Sequence, residues 1–158
     1  MVVLESDEPQ LVGYLIMKRY TMNLENFILS HSQISLLNVI QICSGVLHAF
    51  KINHNAGYAF NDLKLQNIMI SGKSHGQLKI NLIDYGMASQ FMQDGQHIAN
   101  SSVDVFRGNI LFASLNQLNY KQTSRRDDLI SLFYMMLYLL NDFELPQVRE
   151  NTEGNDAY

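Results

Sequence analysis

The stretch Asn61-Asp62-Leu63-Lys64-Leu65-Gln66-Asn67, followed by Asp84-Tyr85-Gly86, decides the fold of this chain. Between the two motifs lie short apolar runs, Ile68-Met69-Ile70 and Leu78 to Ile83, separated by the turn-rich segment Ser71 to Gln77. Such runs predict the two strands of an antiparallel hairpin. The residue before the first strand and the residue after the second lie at the same end of a hairpin. The sequence therefore places the end of the first motif beside the start of the second.

Four side chains of these motifs form a set suited to phosphoryl chemistry. Asn67 and Asp84 supply an amide oxygen and a carboxylate oxygen, which suit Mg²⁺, an ion that takes few protein ligands and leaves positions for water and phosphates. Asp62 could accept a hydroxyl proton, and Lys64 could neutralise a phosphoryl group during transfer. The alternative is a solvated turn, which Asn and Asp also favour. The presence of both motifs at a suitable spacing favours the functional interpretation.

The two motifs resemble those of protein kinases, in which a catalytic loop His-Arg-Asp-x-Lys-x-x-Asn precedes a metal motif Asp-Phe-Gly. Downstream, Phe106 to Asn116 and Ser124 to Leu132 are similar to the casein kinase 1 superfamily. Ser114-Leu115-Asn116 stands where other kinases have Ala-Pro-Glu, and Ser131 to Met135 is especially similar to the tau-tubulin kinase branch.

This resemblance implies an α+β, mainly α-helical fold: a kinase C-terminal lobe with a small antiparallel hairpin. Tyr14 to Met17 resembles the hinge strand, and Asn23 to Phe27 the helix after it. The similarity covers 13–146, so we expect a partial kinase-like domain there, a short segment at 1–12 and a polar tail at 147–158. Because no glycine-rich loop or Val-Ala-Ile-Lys strand precedes the hinge, the N-terminal lobe is expected to be absent and the domain truncated.

The resemblance also implies a role for each motif residue. Asp62 would be the catalytic base and Lys64 would stabilise the transferred phosphoryl group. Asn67 and Asp84 would hold Mg²⁺, and together with Gly86 they would form the cofactor site for ATP and Mg²⁺. The implied reaction is transfer of the ATP γ-phosphoryl group to Ser or Thr of a protein. Without a glycine-rich loop and a strand lysine, ATP is expected to bind weakly to this chain alone, and the isolated chain is expected to be inactive.

A second interpretation belongs to a different class of function. A catalytically inactive pseudokinase lobe that acts as a protein-binding module would also lack the N-lobe motifs and keep an apolar scaffold. The retention of Asp62, Lys64, Asn67 and Asp84 argues against this interpretation.

Several positions depart from the kinase pattern. Phe60-Asn61 replaces the usual His-Arg, which removes a contact to an activation-loop phosphate. Leu111 replaces an arginine that casein kinases associate with anion binding near the substrate, so recognition of acidic or phosphate-primed substrates is not expected. The long polar segment between Asp84 and Ser114 corresponds to the activation segment, where a protein substrate would lie.

Apolar spacing predicts two core helices. The first runs from about Ile34 to Asn53, and Ser30 and Gln33 could form its capping box. The residues expected on its core face recur at 3.6-residue spacing: Leu36, Val39, Ile40, Cys43, Val46, Leu47 and Phe50. The second begins near Ser124, carries Asp127-Asp128 in its first turn, where the helix dipole favours negative charge, and is otherwise apolar on all faces. The kinase resemblance adds that the second of these aspartates hydrogen-bonds the catalytic-loop backbone.

Composition restricts the class of partner. A chain of 158 residues, 47% of them hydrophobic, can build one domain with one core. The net charge of −4 and the lack of a Lys/Arg run leave no electrostatic footprint for nucleic acid or an anionic membrane. The longest apolar run, Leu129 to Leu140, is too short to span a bilayer and is expected to form a buried helix. We therefore expect a protein substrate or partner, no nucleic acid and no membrane.

The remaining features indicate location and association. The single cysteine, Cys43, suits a reducing compartment and a core position, and with no secretion signal in the sequence the chain is expected to be cytoplasmic. The five histidines show no zinc-ligand spacing and are expected to be surface or capping residues. If the usual C-terminal helices of a kinase lobe are missing, the exposed C-lobe surface would favour self-association.

Overall fold

The structure, a computed structural model, describes residues 15–31, 34–74 and 77–145. The predicted segments 1–12 and 147–158, the hinge residue Tyr14 and the capping residue Gln33 lie outside these residues. The elements, in chain order, are β1 Met22–Asn23, α1 Leu24–Leu29, α2 Leu36–Asn55, β2 Tyr58–Ala59, β3 Ile68–Ser74, β4 Gln77–Leu82, β5 Ser89–Gln90, β6 Met92–Gln93, β7 Gln96–His97, α3 Leu115–Leu118 and α4 Arg125–Leu140.

The start of α2 differs from the prediction. Ser35 caps this helix, since its side-chain oxygen accepts a hydrogen bond from the backbone N–H of Asn38 at 3.2 Å. Ser30 instead ends α1 and donates its hydroxyl to the carbonyl of Phe27 at 2.9 Å, so the proposed capping role of Ser30 is wrong. Ser30 precedes Gln33, and Ser35 precedes Asn38, by the same three residues, so spacing alone could not select the correct cap.

Helix α2 packs against both α4 and β4 and forms the centre of the core. Its buried side chains are Val39, Ile42, Val46 and Phe50. Leu36, Ile40 and Leu47, which the apolar spacing also assigned to the core, are exposed. Apolar residues occur around most of this helix, so periodicity identifies the helix but not the face that other elements cover.

Helix α4 is buried on one side only. Leu132, Met135 and Leu139 join the core, whereas the outward side chains Leu129 and Phe133 are exposed. The prediction of a fully buried helix is therefore wrong for the outer face, since no described element packs there.

Helix α2 also has the length and apolar composition that would suffice to cross a membrane, a property shared by helices that form protein cores. It is the one such helix among residues 15–31, 34–74 and 77–145.

The predicted hairpin is confirmed and extended. Strands β3 and β4 pair antiparallel with Ile68 opposite Leu82, and β1 adds to the other edge of β3. The predicted loop from Ser71 to Gln77 is largely strand, because pairing continues past an irregularity between Ile70 and Lys73. Two further antiparallel pairs, β2 with β5 and β6 with β7, give the activation segment more order than its sequence predicted.

Candidate active site

The catalytic loop, residues 60–67, lies between β2 and β3 and brings three predicted site residues together. The Lys64 Nζ atom lies 2.7 Å from Asp62 Oδ2, and the Asn67 side-chain amide donates to the same oxygen at 2.9 Å. The Asn67 amide also donates to the Asp62 carbonyl at 3.0 Å. The Asp62 side chain is only 7% exposed, whereas that of Lys64 is 30% exposed. Asp62 is therefore fixed in orientation, while Lys64 has access to solvent.

Asp84 follows β4 at the end of the hairpin where Asn67 lies. The backbone N–H of Ile83 donates to the Asn67 carbonyl at 3.0 Å, which ties the two motifs together. Asp84 has a positive φ of 62°, and its Oδ1 accepts a hydrogen bond from the Gly86 N–H at 3.3 Å. Gly86 thus orients the carboxylate. Among the described residues, no hydrogen bond joins the Asp84 side chain to Asn67 or Asp62.

The donor set fits Mg²⁺. Asn67 uses its amide nitrogen to hold Asp62, and its amide oxygen accepts no hydrogen bond within the described residues. Asp84 is exposed and offers a carboxylate oxygen beside this end of the hairpin. Asn67 is buried and Asp84 is open to solvent, so the pair offers two hard oxygen donors with room on the Asp84 side for the phosphates and water that complete the shell of Mg²⁺. No group of three or more His, Cys, Asp or Glu residues that could hold a metal occurs in the part of the chain that the structure describes.

The loop is held from below by Asp128, near the start of α4. Its Oδ1 accepts from the backbone N–H of Asn61 and its Oδ2 from that of Phe60, both at 2.8 Å. This confirms the predicted contact between Asp128 and the catalytic-loop backbone. Because Asp128 is 1% exposed, these bonds are shielded from water and fix the loop firmly.

His54 completes this support, contrary to the expectation of a surface or capping role. Its Nε2 lies 2.7 Å from Asp128 Oδ2, its side chain is 10% exposed, and its ring stacks on Phe50 at 5.6 Å between centroids. The signal was present in the sequence, because Val46, Phe50 and His54 follow one another at four-residue spacing along the buried stripe of α2.

Phe60 and Asn61, which replace the usual His-Arg, connect the loop to the segment after Asp84. Phe60 is fully buried and meets Tyr85 edge to face, with 5.2 Å between ring centroids. The Asn61 side-chain amide donates to the carbonyl of Met87 and to the hydroxyl of Ser89, both at 2.8 Å. Asn61 has a φ of 66°, a conformation that Asn tolerates better than most residues. The replacement therefore creates contacts as well as removing one.

Asp127 has a larger role than the predicted interaction with the helix dipole. Its Oδ1 accepts from the Ser114 hydroxyl at 2.8 Å and from the Asn116 amide at 2.9 Å, and its Oδ2 accepts from the Ser124 N–H at 2.8 Å. Ser114 and Asn116 belong to the Ser-Leu-Asn motif, so this buried carboxylate anchors the end of the activation segment to α4.

Gln117 joins that anchor to the catalytic loop, a role that the sequence did not reveal. Its amide donates to the carbonyls of Asn61 and Arg107, both at 2.9 Å. Gly108 lies in the same contact with a φ of +125°, and a Cβ atom there would come within 2.5 Å of the Asn61 carbonyl oxygen. The activation segment therefore ends directly against the loop that carries Asp62.

The comparison with known families agrees with this geometry. Residues 4–157 match the model of the protein kinase domain, and the chain belongs to the protein kinase family. Within that family it is related to casein kinase 1. It is 33% identical over 95 residues to a probable casein kinase I homolog of Encephalitozoon cuniculi, a match that covers 60% of this chain and 29% of that protein.

Viral kinases are also among the relatives. The chain is 36% identical over 98 residues to a probable serine/threonine-protein kinase of fowlpox virus, covering 61% of this chain and 32% of that protein. It is 27% identical over 147 residues to the B1 kinase of vaccinia virus (strain Copenhagen), covering 91% of this chain and 48% of that protein. The chain thus spans about a third to a half of the length of these curated relatives.

Proposed function

We propose that this chain is a Ser/Thr protein kinase-like domain that takes part in transfer of the ATP γ-phosphoryl group to Ser or Thr of a protein. The observation that supports this most directly is the convergence of Lys64 and Asn67 on one carboxylate oxygen of Asp62, with Asp84 at the same end of the hairpin. The names of the relatives support the same class of activity.

In the proposed reaction, the hydroxyl oxygen of the substrate forms a bond to the γ-phosphorus. The bond from that phosphorus to the bridging oxygen breaks, and ADP leaves. Asp62 accepts the hydroxyl proton, and the Asn67 amide keeps the carboxylate oriented towards it. Lys64, which is partly exposed, leaves Asp62 to meet the phosphoryl group. Mg²⁺ held by Asn67 and Asp84 would supply charge neutralisation for the phosphates.

Nucleotide binding to this chain alone is proposed to be weak. The sequence has no glycine-rich loop and no Val-Ala-Ile-Lys segment, so adenine would contact the hinge-like residues Met17 to Tyr20 and one face of the lobe. We propose that a further glycine-rich loop and a strand lysine complete the nucleotide site. We also propose a cytoplasmic location, for which the single free thiol of Cys43 is the support.

The test is calorimetric titration of the purified 158-residue chain with Mg-ATP, in parallel with Asp84→Asn. We expect weak binding to the wild-type chain that is lost in Asp84→Asn, because the substitution removes the only carboxylate of the metal site. Asp62→Asn is the matched control, and it should retain the binding because Asp62 acts on the hydroxyl proton and not on the nucleotide. Micromolar affinity would contradict the proposed weakness of the site, and equal binding by Asp84→Asn would contradict the metal assignment.

The alternative is a pseudokinase lobe that binds a protein or a second copy of itself. Its supporting observation is the set of exposed apolar side chains on the outer sides of α2 and α4, among them Leu37, Ile40, Ile130 and Phe133. Absence of Mg-ATP binding in all variants would favour this alternative.

A further inference from the structure

A second concave site lies on the side of the lobe where the end of α2 meets the start of α4. This α2–α4 groove has a volume of about 550 Å³, which is in the range of ligand sites. Its lining includes Leu47, His48, Lys51, His54, Arg125 and Leu129. None of these residues belongs to the proposed phosphoryl-transfer site.

The groove is cationic in a chain whose net charge is −4. Lys51 comes from α2 and Arg125 from α4, and neither forms a salt bridge with a described residue. Within the part of the chain that the structure describes, no Asp or Glu lines the groove. The Arg125 guanidinium lies 5.1 Å from the centre of the Phe91 ring, which limits its freedom before any ligand arrives. Two cations without an acidic partner among the described residues favour a ligand that carries carboxylates.

The same groove has an apolar component. Leu47 is 48% exposed and Leu129 is 44% exposed, so each helix contributes a leucine beside its cation. A ligand that combines carboxylates with an apolar side chain therefore complements both properties. Nucleic acid and membrane surfaces fit less well, because their binding depends on extended runs of positive charge, and the described lining of the groove contains two Lys or Arg residues.

We propose that the α2–α4 groove binds an acidic segment of a partner protein, with carboxylates at Lys51 and Arg125 and an apolar side chain against Leu47 and Leu129. This binding is independent of the proposed phosphoryl transfer.

The groove is also next to the support of the catalytic loop. His54, which lines it, lies 2.7 Å from Asp128, the carboxylate that accepts the N–H groups of Phe60 and Asn61. An occupant of the groove would thus be linked to the catalytic loop through the hydrogen bond between His54 and Asp128 and the bonds from Asp128 to the loop backbone.

The experiment measures fluorescence anisotropy of a fluorescein-labelled peptide of alternating Glu and Leu with the full 158-residue chain. The peptide should bind, with an affinity that falls as salt is raised. Lys51→Glu should weaken it at least tenfold. Lys79→Glu makes the same charge change at an exposed position of β4 outside the groove, and it should stay within twofold of wild type. A peptide with Gln in place of Glu should bind at least tenfold more weakly than the acidic one.

Three results would overturn the proposal. The first is no binding of the acidic peptide, and the second is equal weakening by Lys51→Glu and Lys79→Glu. The third is a Lys51-dependent association with anionic phospholipid vesicles, or of the chain with itself in sedimentation, in place of peptide binding. The Mg-ATP titration is read separately, so failure of the proposed kinase function leaves this test intact.

Discussion

Two regions of this chain use buried and exposed surface in opposite ways. In the catalytic-loop platform, polar side chains are buried, and the set comprises Asn61, Asp62, Asn67, Ser114, Gln117, Asp127 and Asp128. On the outer face of α2 and α4, apolar side chains are exposed, and the set comprises Leu37, Ile40, Ile52, Ile130 and Phe133. The buried polar groups of the first region find their hydrogen-bond partners within the protein. The exposed apolar side chains of the second region are not covered by any described residue.

This difference indicates which region of the molecule is already organised without a ligand. Burial of a polar group is costly unless a partner is present, and the platform supplies partners for nearly all of its members. The Asn61 side-chain oxygen is an exception, since it is buried and no described residue donates a hydrogen bond to it. The geometry around Asp62 is therefore fixed in advance, while the outer face can change its contacts without disturbing that geometry.

The largest effect on stability is expected from Asp128→Ala, in the catalytic-loop platform. The substitution leaves the buried N–H groups of Phe60 and Asn61, and the His54 ring, without their acceptor. A buried donor left without an acceptor costs about 1–3 kcal/mol, and two backbone N–H groups lose theirs here, so we expect a decrease of about 2–6 kcal/mol in the free energy of unfolding. Urea denaturation followed by circular dichroism measures it.

The control for this prediction is Arg126→Ala. Arg126 is exposed, and its Nε lies 3.7 Å from Asp127, so its removal should change stability by less than about 0.5 kcal/mol. Similar losses in both variants would show that the platform is no more important for stability than the helix surface.

Contacts close together in the chain could be predicted from the sequence, and distant ones could not. The hairpin, the order of the motifs and the meeting of Asp62, Lys64 and Asn67 follow from short-range spacing. His54 and Gln117 were missed because their partners, Asp128 and Asn61, are more than fifty positions away in the chain.

The second error in the sequence-based prediction concerned which face of each helix is buried. The apolar residues of α2 and α4 occur on more than one side, so the pattern carries too little contrast to indicate which side packs. Leu47 was assigned to the core and is exposed, whereas Asp127 was explained by the helix dipole and is 1% exposed among side-chain partners that this explanation did not include. Both errors concern long-range packing, which local periodicity does not encode.

An intermediate test compares the inner and outer sides of α2 at adjacent positions. A Cβ atom on Gly45 would come within 2.5 Å of the Ile80 Cβ on β4. At an open helix position, Gly→Ala stabilises by about 1 kcal/mol, but overpacking of a core costs about 1–3 kcal/mol. We expect Gly45→Ala to lower the free energy of unfolding by about 1 kcal/mol or more, as measured by urea denaturation.

Ser44→Ala is the matched substitution on the exposed side of the same turn. Because it only improves helix propensity, it should be neutral or slightly stabilising, within about 0.5 kcal/mol. If Gly45→Ala were stabilising as well, the close packing of α2 on β4 would be wrong.

The smallest expected effect on stability comes from Phe133→Ser, which tests the exposed apolar face of α4. Phe133 is 50% exposed on α4, so its replacement should change the free energy of unfolding by no more than about 0.5 kcal/mol. If the outer face drives self-association, the same change should lower the concentration-dependent sedimentation coefficient of the chain, because it removes exposed aromatic surface. Leu132→Ser, at the adjacent buried position, should instead lower stability strongly. If folded Phe133→Ser associated as strongly as the wild-type chain, Phe133 would not belong to the self-association contact, and any self-association would involve other residues.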